Sequence, residues 1–363
     1  MIAETDVLVV GAGIAGLAHA AAAHARGLSV TVIDRDSRAI GASVRNFGHA
    51  CVTAQSGELL DLALVARERW VHYSALAGFF SVESGAIAVA RSAEELAVLD
   101  ELSASREAGQ VALEGADAIR ERLGSGDTAI VGGATLRDDV RVDPREAVGK
   151  LAAWLESQGV RFLWRTSYFG GDQTSRGTVR AGRTIVCVGH DLDYLYPDLA
   201  AEHEIERCGL QMTRIDAPGG RRIVQAVLTG TSMLRYPAFT ETDAAVALRA
   251  RVARDDLGLV DVGANVMFTQ RPDGTIIAGD SHRYDVTMDP FQREATTELL
   301  LARIAEVLGV PRVTVVERWQ GVYASSPRHP YLIEEVEPGV TAVSVTSGVG
   351  MTISFGLAER AFS

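Results

Sequence analysis

The hydrophobic period changes twice within the first thirty-four residues. Residues 6–10 are an unbroken aliphatic run behind Asp6, the pattern of a short strand buried on both faces. A glycine turn follows, Gly11-Ala-Gly-Ile-Ala-Gly16. Residues 14–26 are then alanine-rich, which predicts a helix, and Gly27 stands just past its end. Residues 29–33 return to the strand pattern and close on Asp34. Strand, helix and strand in about thirty residues make a βαβ unit, with parallel strands by the usual crossover rule. Further on, residues 57–76 have helical apolar spacing, and 92–106 and 114–122 predict surface helices. Asp143-Pro-Arg-Glu146 is a strong helix start, with an Asp cap, Pro at the first position and Glu at the third. That helix should run to about residue 158, with strands over 160–163 and 184–188.

Past residue 200 the pattern changes character. Residues 208–215, 222–229, 265–269 and 275–279 are strand-like, and Arg271-Pro-Asp-Gly274 between the last two signals a hairpin. Helices are expected near 242–255 and 290–308, and strands over 313–319, 331–335 and 340–345. A glycine loop, Ser347-Gly-Val-Gly350, then opens a final helix. The pieces predict an α/β chain, in which a Rossmann-like dinucleotide domain is interleaved in sequence with a mostly antiparallel α+β domain. The expected division gives residues 1–75, 140–200 and 310–363 to the first and 76–139 and 201–309 to the second.

Composition narrows the function classes. The chain has 363 residues, 47% hydrophobic and 23% charged, too apolar for a disordered protein. Its formal charge of −12 argues against nucleic acid or an anionic membrane as the main partner, yet leaves room for a small anion held by a few arginines. The three cysteines, Cys51, Cys187 and Cys208, are widely spaced and form no CxxC, so neither a disulfide framework nor a metal site is expected. Residues 7–25 lack Asp, Glu, Lys and Arg, but three glycines, His19 and His24 interrupt them and two acids precede them. No membrane span or signal is therefore expected, and the location implied is cytoplasmic.

The glycine turn carries the first chemistry. Gly11 permits the tight turn, Gly13 lets backbone approach a pyrophosphate, and Gly16 lets the helix pack close on the strand. The helix N-terminus, from Ala12, Ile14 and Ala15 onward, presents free N–H groups to phosphates. Asp34, eighteen residues after Gly16 and beside Arg35, is placed to accept hydrogen bonds from a ribose. A second such fingerprint is absent from the sequence, which points to one bound dinucleotide.

The run Gly41-Ala-Ser43-Val-Arg45-Asn46-Phe-Gly48-His49 resembles the segment after the second strand in the FAD-dependent D-amino acid oxidase, glycine oxidase and sarcosine oxidase superfamily. Other blocks follow in the same order. Val188-Gly189 ends a strand beside the nucleotide, Gln270 to Asp280 is similar to the family's hairpin, and Trp319-Gln-Gly321 to its following strand. Gly348-Val349-Gly350-Met351-Thr352 is similar to its last flavin loop. The resemblance covers nearly the whole chain. More narrowly, Ser43 to Gly48, Leu210-Gln-Met212 and Gly279-Asp-Ser-His282 resemble a bacterial subgroup proposed to act in aminophosphonate breakdown. The sequence departs from the family in carrying His329 where many relatives have Asp. It also has Asp34 for the commoner Glu, Arg45 where some relatives have a flavin-linked His, and no cysteine near Gly321. The FAD implied is thus non-covalent.

What the resemblance implies is oxidation of the C–N bond of a small amine or amino acid, an aminophosphonate or N-methyl derivative included, by hydride transfer to flavin, with hydrolysis of the imine. The flavin carries the hard step, so the protein positions substrate and tunes the site. A substrate carboxylate or phosphonate needs an anchor, for which arginine has the matching fork. Arg45 is the first choice and Arg328 the second, with Arg235 beside Tyr236 and Arg283 beside His282 behind them. His49 and His282 are the candidates to face flavin or substrate, with Gln211 and Tyr323 as wall residues. Tyr73, Trp70 and Trp154 read as core. The alternatives are a flavin-dependent 2-hydroxy-acid oxidase or dehydrogenase, which needs a base, and a non-catalytic FAD-binding subunit. The partners expected are a small zwitterion or anion and oxygen or an electron carrier, in a monomer or homodimer.

Overall fold

The computed structural model describes residues 1–362. Two large sheets organise it. The first has the strand order Tyr331–Glu337, Val340–Val345, Gly177–Val186, Ala3–Val10, Val30–Asp34 and Arg161–Trp164. All neighbours are parallel except the first pair. The register sets Val10 opposite both Ile33 and Val186, so three strands end at one level, with the Gly11–Gly16 turn beyond them. Ligands of open parallel sheets bind at this carboxyl edge. Helices Ile14–Ala25, Gly57–Ala77, Pro144–Ser157 and Gly350–Ala361 cover one face. Trp70, fully buried there, donates its indole N–H to the Met351 carbonyl at 2.6 Å and meets Phe355 edge-on. Tyr73 stacks on the same Phe355 and Trp154 packs against it, as the helical spacing of these residues predicts.

The second sheet runs Arg283–Asp285, Glu206–Ile215, Ile276–Gly279, Met267–Gln270, Ala226–Leu228, Ala86–Ala90, Gly132–Leu136 and Val111–Gly115. It is antiparallel except where Ala226–Leu228 meets Ala86–Ala90. The long strand Val315–Ser325 lies along Glu206–Ile215 over ten paired positions. Its pairing places it in this sheet, although residues 310–363 were expected wholly with the nucleotide-binding part. A small sheet of His49–Ala50, Val140–Val142 and Ser81–Val82 joins the two halves.

Other differences have local causes. Strands Ala86–Ala90 and Gly132–Leu136 carry no alternation, because nearly every position is buried, and alanine and glycine dilute the β-signal. Residues 114–122, expected as a helix, divide at Gly115: a strand ends there and the helix Ala116–Leu123 begins. The expected helix over 290–308 starts only at Glu294. Asp143 does cap its helix, accepting from the Arg145 N–H at 3.1 Å, and its other oxygen takes the Arg271 guanidinium at 2.9 Å. That contact fastens the hairpin of the second sheet to the helix on the first.

Candidate active site

One cavity of about 420 Å³ lies between the two sheets, lined from both. At the first sheet its wall is the glycine turn. A Cβ on Gly16 would stand 1.9 Å from the Gly11 carbonyl oxygen, and one on Gly11, at φ +102°, would stand 2.3 Å from that of Cys187. Turn, helix and the strand end at Cys187 are thus in backbone contact, a fit that only glycine allows. The Ile14 N–H donates to Ser43 Oγ at 2.9 Å, which brings the Ser43 loop against the helix N-terminus. Asp34 accepts from the Ala12 N–H at 2.7 Å and the Asp36 N–H at 2.8 Å. A carboxylate has about four acceptor positions, so two remain for ribose hydroxyls. Burial raises the Asp34 carboxyl above its ordinary value, against these two bonds. Arg35 reaches Asp191 at 2.7 Å along the rim.

Farther in, Ser344 lines the cavity with a buried hydroxyl that has no partner. Gly348, Gly350 and Met351 bring the N-terminus of the last helix to the same wall. Two helix N-termini, a narrow backbone trough, a ribose acceptor and an orphaned hydroxyl fit a dinucleotide in extended form. The residues that would hold it come from three distant stretches, around 11–46, 188–191 and 343–354.

The second sheet closes the other end with polar groups. Arg235, half-buried, donates to the Tyr284 hydroxyl at 3.3 Å. Burial works against its charge, but the Tyr323 and Tyr284 phenols and the Asp280 carboxyl outweigh this and hold it protonated. Asp280 is 3% exposed. Burial raises its carboxyl to about 7, against Arg235 and the Asn265 amide, which pull it down. Burial and Arg235 keep His282 well below its ordinary value, so its ring is neutral. Its Nδ1 lies 2.9 Å from the Gly263 carbonyl, which assigns the proton there and leaves Nε2 as acceptor. Tyr236 and Tyr323, both pushed up by burial, complete the wall.

Of the residues singled out in the sequence, Gly11, Gly13, Ile14, Ala15, Asp34, Arg35, Ser43, Arg45 and Asn46 line this cavity. So do Val188, Gly189, Gly321, Gly348, Gly350, Met351, His282, Arg235 and Tyr323. Arg45 donates to the Gln320 carbonyl at 3.3 Å, and Asn46 braces its own loop through the Ala42 carbonyl and the Gly48 N–H. Ala12, Gly16, Gly48, Val349 and Thr352 support the wall from behind, Thr352 by accepting the Cys51 N–H at 3.1 Å. His49 is placed elsewhere than expected. It is buried away from the cavity, 2.7 Å from Asp139, whose second oxygen accepts the Thr53 N–H at 2.7 Å. The Cys51 sulfur, held protonated by burial and by Asp139, lies in the same knot. Arg328 is half exposed on a loop outside the cavity, where Glu204 takes its Nε at 2.7 Å. Gln211 turns to Thr297 at 3.1 Å, and Arg283 pairs with Asp289 at 3.3 Å.

Neither Asp280 nor Asn265 is among the candidate site residues of the sequence, though Asp280 closes the hairpin that resembles the family's. Asp280 directly follows the wholly buried strand Ile276–Gly279 and stands two positions before His282. An acid that ends a wholly buried strand is seldom decorative.

The fold and cavity define a FAD-binding oxidoreductase of two interleaved sheets, and the sequence comparison agrees. Residues 6–362 match the family described as FAD dependent oxidoreductase, DAO, and the chain belongs to it. None of the curated proteins compared matches by sequence. Among solved structures, L-proline dehydrogenase from P. horikoshii is similar at a TM-score of 0.79 and 17% identity, over 99% of this chain and 92% of that one. Glycine oxidase from Bacillus cereus is similar at 0.77 and 16%, over 98% and 93%. Iminodiacetate oxidase from Chelativorans sp. BNC1 is similar at 0.74 and 18%, over 98% and 93%. The chain is thus an FAD-dependent oxidoreductase. No helix among the described residues is long and apolar enough to cross a membrane.

Proposed function

We propose that this enzyme oxidises the C–N bond of a small amino acid or amine that carries an anionic group, and that Arg235 holds that anion. The observation that carries this reading is the position of Arg235. It is a protonated guanidinium in the wall opposite the cofactor cradle, within the same cavity. Arg235 takes the anchoring role ahead of Arg328, which faces Glu204 outside, and of Arg45, which belongs to the cofactor loop. The names of similar structures, glycine oxidase and iminodiacetate oxidase among them, support an amine bearing a carboxylate. The stretches Ser43 to Gly48, Leu210 to Met212 and Gly279 to His282 favour an aminophosphonate or its N-methyl derivative, and the arginine fork suits either anion.

Bound there, FAD would supply the hydride acceptor for the C–H beside the nitrogen, and the imine left behind would be hydrolysed by water. The chain's own work is to orient and to shelter. Arg235 fixes one end of the substrate, the aromatic walls Tyr236 and Tyr323 exclude water, and neutral His282 offers an acceptor nitrogen. The test is anaerobic absorption spectroscopy of the yellow protein during addition of glycine, sarcosine, 2-aminoethylphosphonate and N-methylated aminophosphonates. Bleaching by one of them is expected. Bleaching by 2-hydroxy acids alone would overturn the amine reading and give His282 the role of base; a flavin reduced by none of these donors would leave a non-catalytic subunit.

A further inference from the structure

The polar end of the cavity holds a group that Arg235 does not satisfy. Asp280 Oδ1 is buried and has no hydrogen-bond partner among the described residues, although Asp280 lines the cavity. Its backbone is clamped on both sides: its N–H donates to the Asn265 carbonyl and its carbonyl accepts the Asn265 N–H, each at 2.8 Å. Asn265 is fixed in turn, since its side-chain oxygen accepts the Ser232 hydroxyl at 2.7 Å, which turns its amide nitrogen to donate. The carboxyl is therefore held in place with one oxygen free. A buried acceptor without a donor is costly, so a built site that keeps one is shaped for a ligand that brings the donor.

The charged and titratable groups around Asp280 are few. Arg235 is the cation, from the turn after residues 230–233. Neutral His282, Nδ1 3.8 Å from Oδ1, stands two residues further along the same connection between strands. Tyr236 and Cys208, both kept protonated by burial, face it from neighbouring elements. None of these donates to Oδ1, and among the described residues no second cation is near.

We propose that Asp280 receives the substrate's ammonium group and takes a proton from it. This rests on the reading that the substrate is an amine. The N–H bond breaks, its electron pair stays on nitrogen, and the proton joins Oδ1, so that an ammonium and a carboxylate become a neutral amine and a carboxylic acid. A neutral amine has the lone pair that drives loss of hydride from the adjacent carbon; an ammonium has none. The same group selects the substrate. A zwitterion meets Arg235 with its anion and Asp280 with its ammonium, whereas a 2-hydroxy acid leaves the Asp280 carboxylate without a counter-charge. Because the carboxyl titrates near neutral pH, it is poised to accept a proton at working pH.

Three measurements test this on the FAD-loaded protein. The first uses 2-amino-2-methylpropanoate and its phosphonate analogue, which lack a C–H beside nitrogen and cannot be oxidised. Each is compared with the same acid lacking the amino group. Wild type should bind one amino compound at least ~10-fold more tightly than its partner at pH 8, and Asp280→Asn should lose that preference. Which amino compound binds tells carboxylate from phosphonate. The second needs no variant: below about pH 7 binding of the amino compound should weaken as Asp280 protonates, while the partner acid does not weaken. The third is anaerobic flavin reduction by the best amine. Asp280→Asn should be slower by ~10²-fold or more at pH 7, and the gap should close about tenfold per pH unit toward the amine's own pKa. An unchanged amino preference in Asp280→Asn, no loss of that preference in wild type at low pH, or binding of neither amino compound overturns the assignment. If wild type is nevertheless bleached by an amine, amine oxidation stands without Asp280. If no amine bleaches it, the parent reading has failed.

Discussion

Replacing Arg235 with Met removes the cation and keeps much of the side chain's length. Three observations set the magnitude. The guanidinium lines the cavity, it is half-buried, and its structural partner is one phenol at 3.3 Å. Truncating one partner of a buried, hydrogen-bonded charge pair costs ~2–5 kcal/mol, and partial exposure puts Arg235 at the lower end, about 2–3 kcal/mol. At ~1.4 kcal/mol per decade this is roughly a 30- to 150-fold loss of affinity for an anionic ligand. A neutral methyl ester makes no such pair and should lose less than about threefold. The loss has a second signature. Arg235 pulls the Asp280 carboxyl down, so Arg235→Met should move the limb of the pH profile that reports Asp280 to higher pH. The assay is titration of the flavin absorption band with the acid and its ester over a pH series, with an unchanged band before titration as evidence of an intact fold. Arg235→Lys should recover part of the affinity, since charge returns without the planar fork. Equal losses for acid and ester would refute Arg235 as the anion anchor, and a large selective loss in Arg45→Met instead would move the role to Arg45.

Other predictions follow from the packing. Gly16→Ala puts a Cβ 1.9 Å from the Gly11 carbonyl and forces the turn and helix apart, so FAD affinity of the apoprotein should fall at least ~10-fold by fluorescence titration; unchanged affinity would show that the turn can shift freely. Asp143→Asn keeps the helix cap and loses the charge on Arg271, while Asp143→Ala loses both. Urea midpoints should place Asn below wild type by about 1–3 kcal/mol and Ala about 1 kcal/mol lower again, and equal values would deny the cap. Asp280→Asn should also change stability with pH. The folded carboxyl is raised above its unfolded value, so its ionisation adds no cost while both states are protonated; the cost grows as pH rises from about 4 through about 7 and levels above that. The variant should therefore melt at higher temperature than wild type at pH 8.5 and level with it near pH 4; a constant offset would contradict the raised carboxyl.

The nucleotide half of the fold was legible because its signals are local. Gly11 to Gly16 and Asp34 lie within one βαβ unit, and each residue type has a steric or hydrogen-bonding reason that sequence displays. The second sheet was legible only in pieces. Ala86–Ala90 and Gly132–Leu136 are strands by tertiary pairing, and their small residues carry little strand preference of their own. The polar end of the cavity was the least legible, because Arg235, Asn265 and Asp280 lie in three separate connections and Tyr323 on a distant strand, and they meet only in the assembled fold. His49 is the instructive misplacement. It follows the cofactor loop directly in sequence, but the positive φ of Gly48 and the pairing of His49 with Arg141 turn the chain into the small sheet, where Asp139 takes its ring.

The interleaving of the two sheets also dictates when the cofactor can be captured. The first strand, Ala3–Val10, has Val30–Asp34 beside it within moments of synthesis, yet its other neighbour, Gly177–Val186, is encoded about 170 residues later. At ~5–20 residues per second that edge waits roughly ten to thirty seconds for its partner. The cradle waits longer, since Ser344, Gly348 and Met351 are encoded more than 300 residues after the glycine turn. FAD loading thus has to await residues 344–351, and a chain cut before them would carry the glycine fingerprint intact and lack that wall of the cradle.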